Sequence, residues 1–226
     1  MPASRLLLVH GAFHGAWCWD RLTPELDRLG IAWNSVDLPF TSTEDDVEAV
    51  RAAIDGSDRP VAVLGHSFGG AAISAAAQDG GAPYGQATSL IYLTAFMTAP
   101  DQVVDFSGAP GIAEIELGEV TASVDPGTAS SVFYNRCTDE DATWAAGQLR
   151  PMPTAVLIGS PAPAPAWRVL PSTYIVCTDD RILSVTAQEQ MAANAGRVVH
   201  IDSDHSPFLS CPAALASVLS TLVPGD

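Results

Sequence analysis

Residues 61–77 read VAVLGHSFGGAAISAAA: an apolar run, a knot of glycines around one serine, then a string of alanines. That order suits a buried strand, a sharp turn and a helix small enough to lie close on a sheet. Within it Gly65-His66-Ser67-Phe68-Gly69 matches G-x-S-x-G, the spacing that forces a serine onto a strained strand-to-helix turn so that its oxygen projects clear of the backbone. Gly65, Gly69 and Gly70 leave room for strand and helix to approach. The alternative is a glycine-rich turn whose serine merely caps the helix. The rest of the chain must decide between the two.

Outward from this stretch, strands and helices alternate. Arg5–Val9, Ile31–Leu38, Pro60–Leu64 and Ser89–Phe96 read as strands. The segments between them, Trp19–Leu29, Thr43–Ile54 and the alanine-rich run to Gln78, read as helices. The pattern then weakens from about residue 98 to 170. Prolines accumulate there (PMPTAVLIGSPAPAPAW), beside a candidate hairpin at IELGEVTASV and a helix over Asp139–Leu149, so this stretch is expected to be an inserted cap. Order returns with strands at Ser172–Cys177 and Arg197–Ile201 and helices at Val185–Ala195 and Pro212–Leu222. About six mostly parallel strands covered by helices on both faces make this an α/β chain of three layers, expected to be one domain over residues 1–226. Ligands of such sheets bind beyond the strand C-termini.

Bulk properties narrow the chemistry. With 226 residues, 47% hydrophobic and 16% charged, the chain can bury a sizeable core. A formal charge of −16 would repel phosphate backbones and anionic lipid, so neither nucleic acid nor membrane is expected as a partner. A small-molecule substrate is, with a homodimer as a possible assembly. The N-terminal apolar run leads into a glycine turn rather than a cleavage site, and no stretch reaches the roughly 20 apolar residues of a membrane span. A soluble, cytoplasmic protein is therefore expected. Cys18, Cys137, Cys177 and Cys211 are scattered without metal-ligand spacing, and His10 and His14 lack the helix and glutamate of a zinc-protease motif. Glycine-rich nucleotide motifs are missing too, so no cofactor or metal is expected.

A serine hydroxyl attacks only when a histidine takes its proton, and an acid must hold that histidine's tautomer and stabilise its charge. After such an elbow the chain order is serine, acid, histidine. That leaves His200 and His205. His200 lies inside RVVHI, whereas His205 sits in SDHSP, a loop of turn-forming residues just past that strand, and is the expected base. The acid should end the preceding strand, in STYIVCTDDR. Asp180 is preferred, although Asp179 is barely distinguished from it by sequence, and Asp101 or Asp105 would be a displaced acid. Oxyanion donors are expected from the amides of Phe68, next to the serine, and Ala12, in the loop after the first strand.

These residues resemble the α/β-hydrolase superfamily. Within it they are similar to the small esterase group of plant methylesterases, the salicylate-binding esterase, the hydroxynitrile lyases and their bacterial relatives. The likeness rests on LVHGAFHGAWCW (Leu8–Trp19), GHSFGG (Gly65–Gly70), YIVCTDDR (Tyr174–Arg181) and DHSPFLSCP (Asp204–Pro212). It implies Ser67 as nucleophile, Asp180 as acid, His205 as base and Ala12 and Phe68 as oxyanion donors. Where the lyases carry a threonine and a lysine this chain has Gly11 and Ser206, which cannot supply the charge that lyase chemistry uses. The expectation is a serine esterase acting on a small, largely apolar ester or lactone. The alternatives are a lyase on the same triad and a ligand-binding homologue without turnover. Phe13, His14, Phe96, Met97, Phe133, Trp144 and Phe208 are expected to wall the pocket.

Overall fold

Strand β1 (Arg5–Val9) is RLLLV, every residue buried except the half-buried Arg5. Only the interior of a sheet covered on both faces accommodates such a run. The computed structural model describes residues 5–77, 86–159 and 162–223. Around β1 it builds β2 (Trp33–Val36), β3 (Val61–His66) and β4 (Ala87–Leu93). The cap supplies the short β5 (Ile115–Leu117), β6 (Thr121–Val124) and β7 (Met152–Pro153). The main sheet resumes with β8 (Ser172–Cys177) and β9 (Arg197–Ile201). The order across the main sheet is β2-β1-β3-β4-β8-β9, and every pairing is parallel.

The helices are α1 (Thr23–Arg28), α2 (Thr43–Asp55), α3 (Gly69–Ala76), α4 (Pro126–Val132), α5 (Asp139–Ala146), α6 (Thr154–Leu157), α7 (Val185–Ala192), α8 (Pro207–Ser210) and α9 (Pro212–Ser220). Helix α2 packs on α3, and α1 on α9. Sequence sets their starts. Ser42 accepts from the Asp45 amide at 3.0 Å ahead of an acidic first turn, and Thr138 caps α5 through the Asp141 amide at 3.1 Å. The close seating of α3 depends on glycine. A Cβ at Gly65 would lie 2.7 Å from the Gly69 carbonyl oxygen, and one at Gly69 2.6 Å from that of His10.

Several expected boundaries move. The helix expected over Trp19–Leu29 splits into a 3-10 turn (Ala16–Trp19) and α1, because Pro24 suits a first helical turn and not an interior. Strand β3 runs two residues further than expected, to His66, and β4 ends at Leu93 rather than Phe96. Gln78, the expected end of the third helix, lies outside the described residues. In the cap the hairpin forms as expected, and the proline-rich stretch adds β7 beside β6, a strand with no sequence signal. Among the described residues no helix is long and apolar enough to cross a membrane.

Candidate active site

Ala12, Ser67, Asp180 and His205 lie just beyond the C-terminal ends of β1, β3, β8 and β9. Ser67 follows β3 directly, with left-handed backbone (φ 50°) that a non-glycine residue adopts only under the surrounding constraint. Its amide donates to Leu93 O at 3.2 Å, and its carbonyl accepts from the amides of Gly70 and Phe96, both at 3.0 Å. The turn is thus fixed to the end of β4. Gly11 makes this possible from the other side, since a Cβ there would meet Ser67 Cβ at 2.9 Å and His66 Nδ1 at 2.8 Å.

His205, in the loop after β9, is fully buried, and its Nδ1 lies 2.7 Å from Asp180 Oδ2. Asp180 ends the loop after β8. Its Oδ1 accepts from the Ile182 and Leu183 amides at 2.7 and 2.9 Å, and its Oδ2 also accepts from Thr94 Oγ1 at 2.5 Å. A carboxylate so supplied with donors is held in one orientation. Because Nδ1 faces the carboxylate, Nε2 is the ring nitrogen left over, and among the described residues that buried nitrogen has no hydrogen-bond partner, the Ser67 hydroxyl included. Asp179, the neighbour that sequence could barely distinguish, turns outward to Asn135 Nδ2 at 3.2 Å. His200 pairs with Glu189 at 2.6 Å on the exposed side of β9.

Ala12 and Phe68 are both buried, and among the described residues neither amide has a hydrogen-bond acceptor. An amide without a protein acceptor is available to donate to another group. Three further histidines brace this centre. His66 Nε2 lies 2.9 Å from the His205 carbonyl, which fixes the backbone of the base. Burial, then the adjacent His205, lowers the His66 pKa well below the ordinary range, so the ring is neutral and Nε2–H donates. His10 Nδ1 lies 2.9 Å from Gly11 O, which can only accept, so Nδ1–H donates; Nε2 faces both the Leu38 amide at 2.9 Å and Asp37 Oδ1 at 3.1 Å. His14 lies between Ala12 O, 2.7 Å from Nδ1, and the Tyr134 hydroxyl, 2.9 Å from Nε2. His10 and His14 therefore serve the loop rather than each other.

The expected pocket walls divide. A cavity of about 700 Å3 lies between α2, α3 and the cap, lined by Thr43, Val47, Phe68, Ala72, Phe96, Phe106 and Leu157 among others. Of the expected walls only Phe96 borders it. Phe208 is buried under Trp19 and His66, with ring centroids 5.0 and 4.9 Å away. Met97 is fully buried, and its carbonyl accepts from Asn194. Phe13 sits in the core at φ 65°, and Trp144 packs edge-on against Trp17. His14 is committed to its loop, and Phe133 lies over the base, 5.6 Å from the His205 ring. Aromatic character marked these residues, but only tertiary packing separates wall from core. Thr94 and the α2 residues were missed because nothing local distinguishes them.

A family described as the alpha/beta hydrolase family matches residues 6–218. The chain belongs to the α/β-hydrolase family. Its relatives in that family match along nearly their whole length. An alpha/beta hydrolase named nvfD from Aspergillus novofumigatus is 29% identical over 94% of this chain and 93% of its own. The pFDCC methylesterase MES16 of Arabidopsis thaliana is 29% identical over 96% of this chain and 94% of its own. A solved structure of a pyrethroid hydrolase from Sphingobium faniae JZ-2 superposes with a TM-score of 0.83, at 26% identity, covering 97% of this chain and 96% of that one.

Proposed function

We propose that this α/β hydrolase is a serine esterase that cleaves a small, largely apolar carboxylic ester or lactone through an acyl-enzyme on Ser67. The observation that carries this reading is the His205–Asp180 pair at 2.7 Å, which commits Nδ1 and leaves Nε2 bare for the serine proton. The methylesterase and the pyrethroid hydrolase among its relatives support an ester as the scissile group.

In this mechanism Ser67 Oγ attacks the carbonyl carbon as its proton passes to His205 Nε2. Asp180 stabilises the imidazolium so formed. The carbonyl oxygen becomes an oxyanion and accepts from the amides of Ala12 and Phe68, each donor being worth roughly a hundredfold to a thousandfold in rate. His205 then returns the proton to the departing alkoxide, and the alcohol leaves. Water enters, gives a proton to Nε2 and attacks the acyl carbon; as the second tetrahedral intermediate collapses, Nε2 returns that proton to the departing Ser67 Oγ and the acid is released. The apolar part of the substrate occupies the cavity beside Phe68 and Phe96.

A panel of aryl and methyl esters and lactones, assayed with wild type and Ser67→Ala, tests this proposal. Hydrolysis by wild type that is lost in the variant is the expected result. Equal rates for both proteins would refute it.

A further inference from the structure

The amide of Ala12 belongs to the Gly11–Ala12 peptide, whose planarity sets that N–H antiparallel to the Gly11 carbonyl. Whatever holds Gly11 O therefore aims the donor. Two groups do: His10 Nδ1 at 2.9 Å and, more loosely, the His14 amide at 3.4 Å. The next peptide is held at Ala12 O by His14 Nδ1 at 2.7 Å. A carbonyl oxygen can only accept, so Nδ1 of His14 carries the hydrogen. Burial lowers the His14 pKa to about 3, so the ring is neutral and its Nε2 presents a lone pair. That lone pair lies 2.9 Å from the Tyr134 hydroxyl, which must then be the donor.

His10 and His14 differ in what stands behind them. His10 is backed by the Leu38 amide beyond β2 and by Asp37, and meets the cap at second hand, through Arg150 Nη2 on the same Asp37 oxygen at 3.1 Å. His14 is backed by Tyr134, which lies in the cap between α4 and α5. The segment 133–137 also reaches the other two loops of the centre. Asn135 Nδ2 donates to Asp179 O and Oδ2, each at 3.2 Å, and the Arg136 amide donates to Asp204 Oδ2 at 3.0 Å, one residue before His205.

We infer that Tyr134 is a positioning residue for ester hydrolysis: it holds His14, whose Nδ1 grips Ala12 O and whose amide reaches Gly11 O, and so ties the cap to the two peptides that flank Ala12 and set the direction of that oxyanion donor. The inference rests on the serine-esterase mechanism proposed above. It makes the cap part of the machinery that stabilises the transition state, in addition to its place as a pocket wall.

Tyr134→Phe keeps the ring and removes only the O–H. The expected result is a kcat about tenfold lower at nearly constant KM, a fraction of what losing a whole oxyanion donor costs. The affinity for benzeneboronic acid, whose serine adduct places an oxygen against the Ala12 amide, should fall by the same factor. In wild type, side-chain nitrogen NMR of His14 should show the hydrogen on Nδ1 and none on Nε2. Unchanged kcat and boronate affinity in the variant, an effect confined to KM, or an Nε2–H tautomer in wild type would overturn the assignment of Tyr134. A wild type that neither hydrolyses esters nor binds the boronate would refute the esterase mechanism itself.

Discussion

The rim of the sheet and the cap are built on opposite principles. At the rim each candidate residue stands at the end of a parallel strand, where backbone geometry dictates its identity: Ser67 on left-handed backbone after β3, Asp180 after β8, His205 after β9. The segment between β4 and β8, referred to as the cap, has among its described residues three strands of two to four residues and short helices. It is fastened to the rim by side-chain hydrogen bonds from Tyr134, Asn135 and Arg150. The candidate residues thus stand where the backbone is most constrained. Substrate fit and the aim of one donor belong to the part held by individual contacts.

The largest expected effect lies at the rim. Asp180→Asn preserves shape but removes the charge that fixes the His205 tautomer, and should lower kcat by about 10^4-fold. Steady-state kinetics on the best ester of the panel measures it, and a loss of less than tenfold would mean that the acid is elsewhere.

Acid should separate the two regions next. The cap contains no histidine, whereas the rim buries His14 and His66 as neutral rings. In the unfolded chain His14 binds a proton near its ordinary 6.5, and in the folded protein only near 3. Its stabilising contribution is therefore fully present above pH 6.5 and is lost as pH falls towards 3, at up to about 1.4 kcal/mol per pH unit. The lowered His66 adds to the loss in the same direction. Urea unfolding at pH 8, 6 and 5 checks this, with His14→Gln expected to flatten the slope. An equally steep slope in that variant would assign the acid sensitivity to other groups.

The smallest effect belongs to the cap. Leu157→Trp fills part of the cavity while leaving Ser67, Asp180 and His205 untouched. It should lower kcat/KM for bulky esters by about tenfold relative to short ones, the low end of what pocket fit is worth. An equal change for both substrate sizes would place the substrate outside this cavity.

Legibility in the sequence follows the same division. The turn at Ser67 and the loops that carry Ala12 and His205 could be placed because strained turns and strand ends favour particular residues at fixed local spacing. Asp180 could be placed at a strand end, but its advantage over Asp179 emerges only from the fold. One carboxylate meets His205 and Thr94, and the other meets Asn135. Thr94, His66 and Tyr134 act through partners 86, 139 and 120 residues away, distances over which no local pattern operates. The pocket was hardest to read, since an aromatic residue in the core and one lining a cavity look alike in sequence.

The most direct test is whether Ser67 is acylated. Rapid quench of the wild type with an activated aryl ester, followed by intact-protein and peptide mass spectrometry, should show one acyl group on the peptide containing Ser67. The adduct should form with a burst of about one equivalent of alcohol, and both should be absent from Ser67→Ala. Steady product formation with no adduct, at a rate that survives Ser67→Ala, would contradict the mechanism.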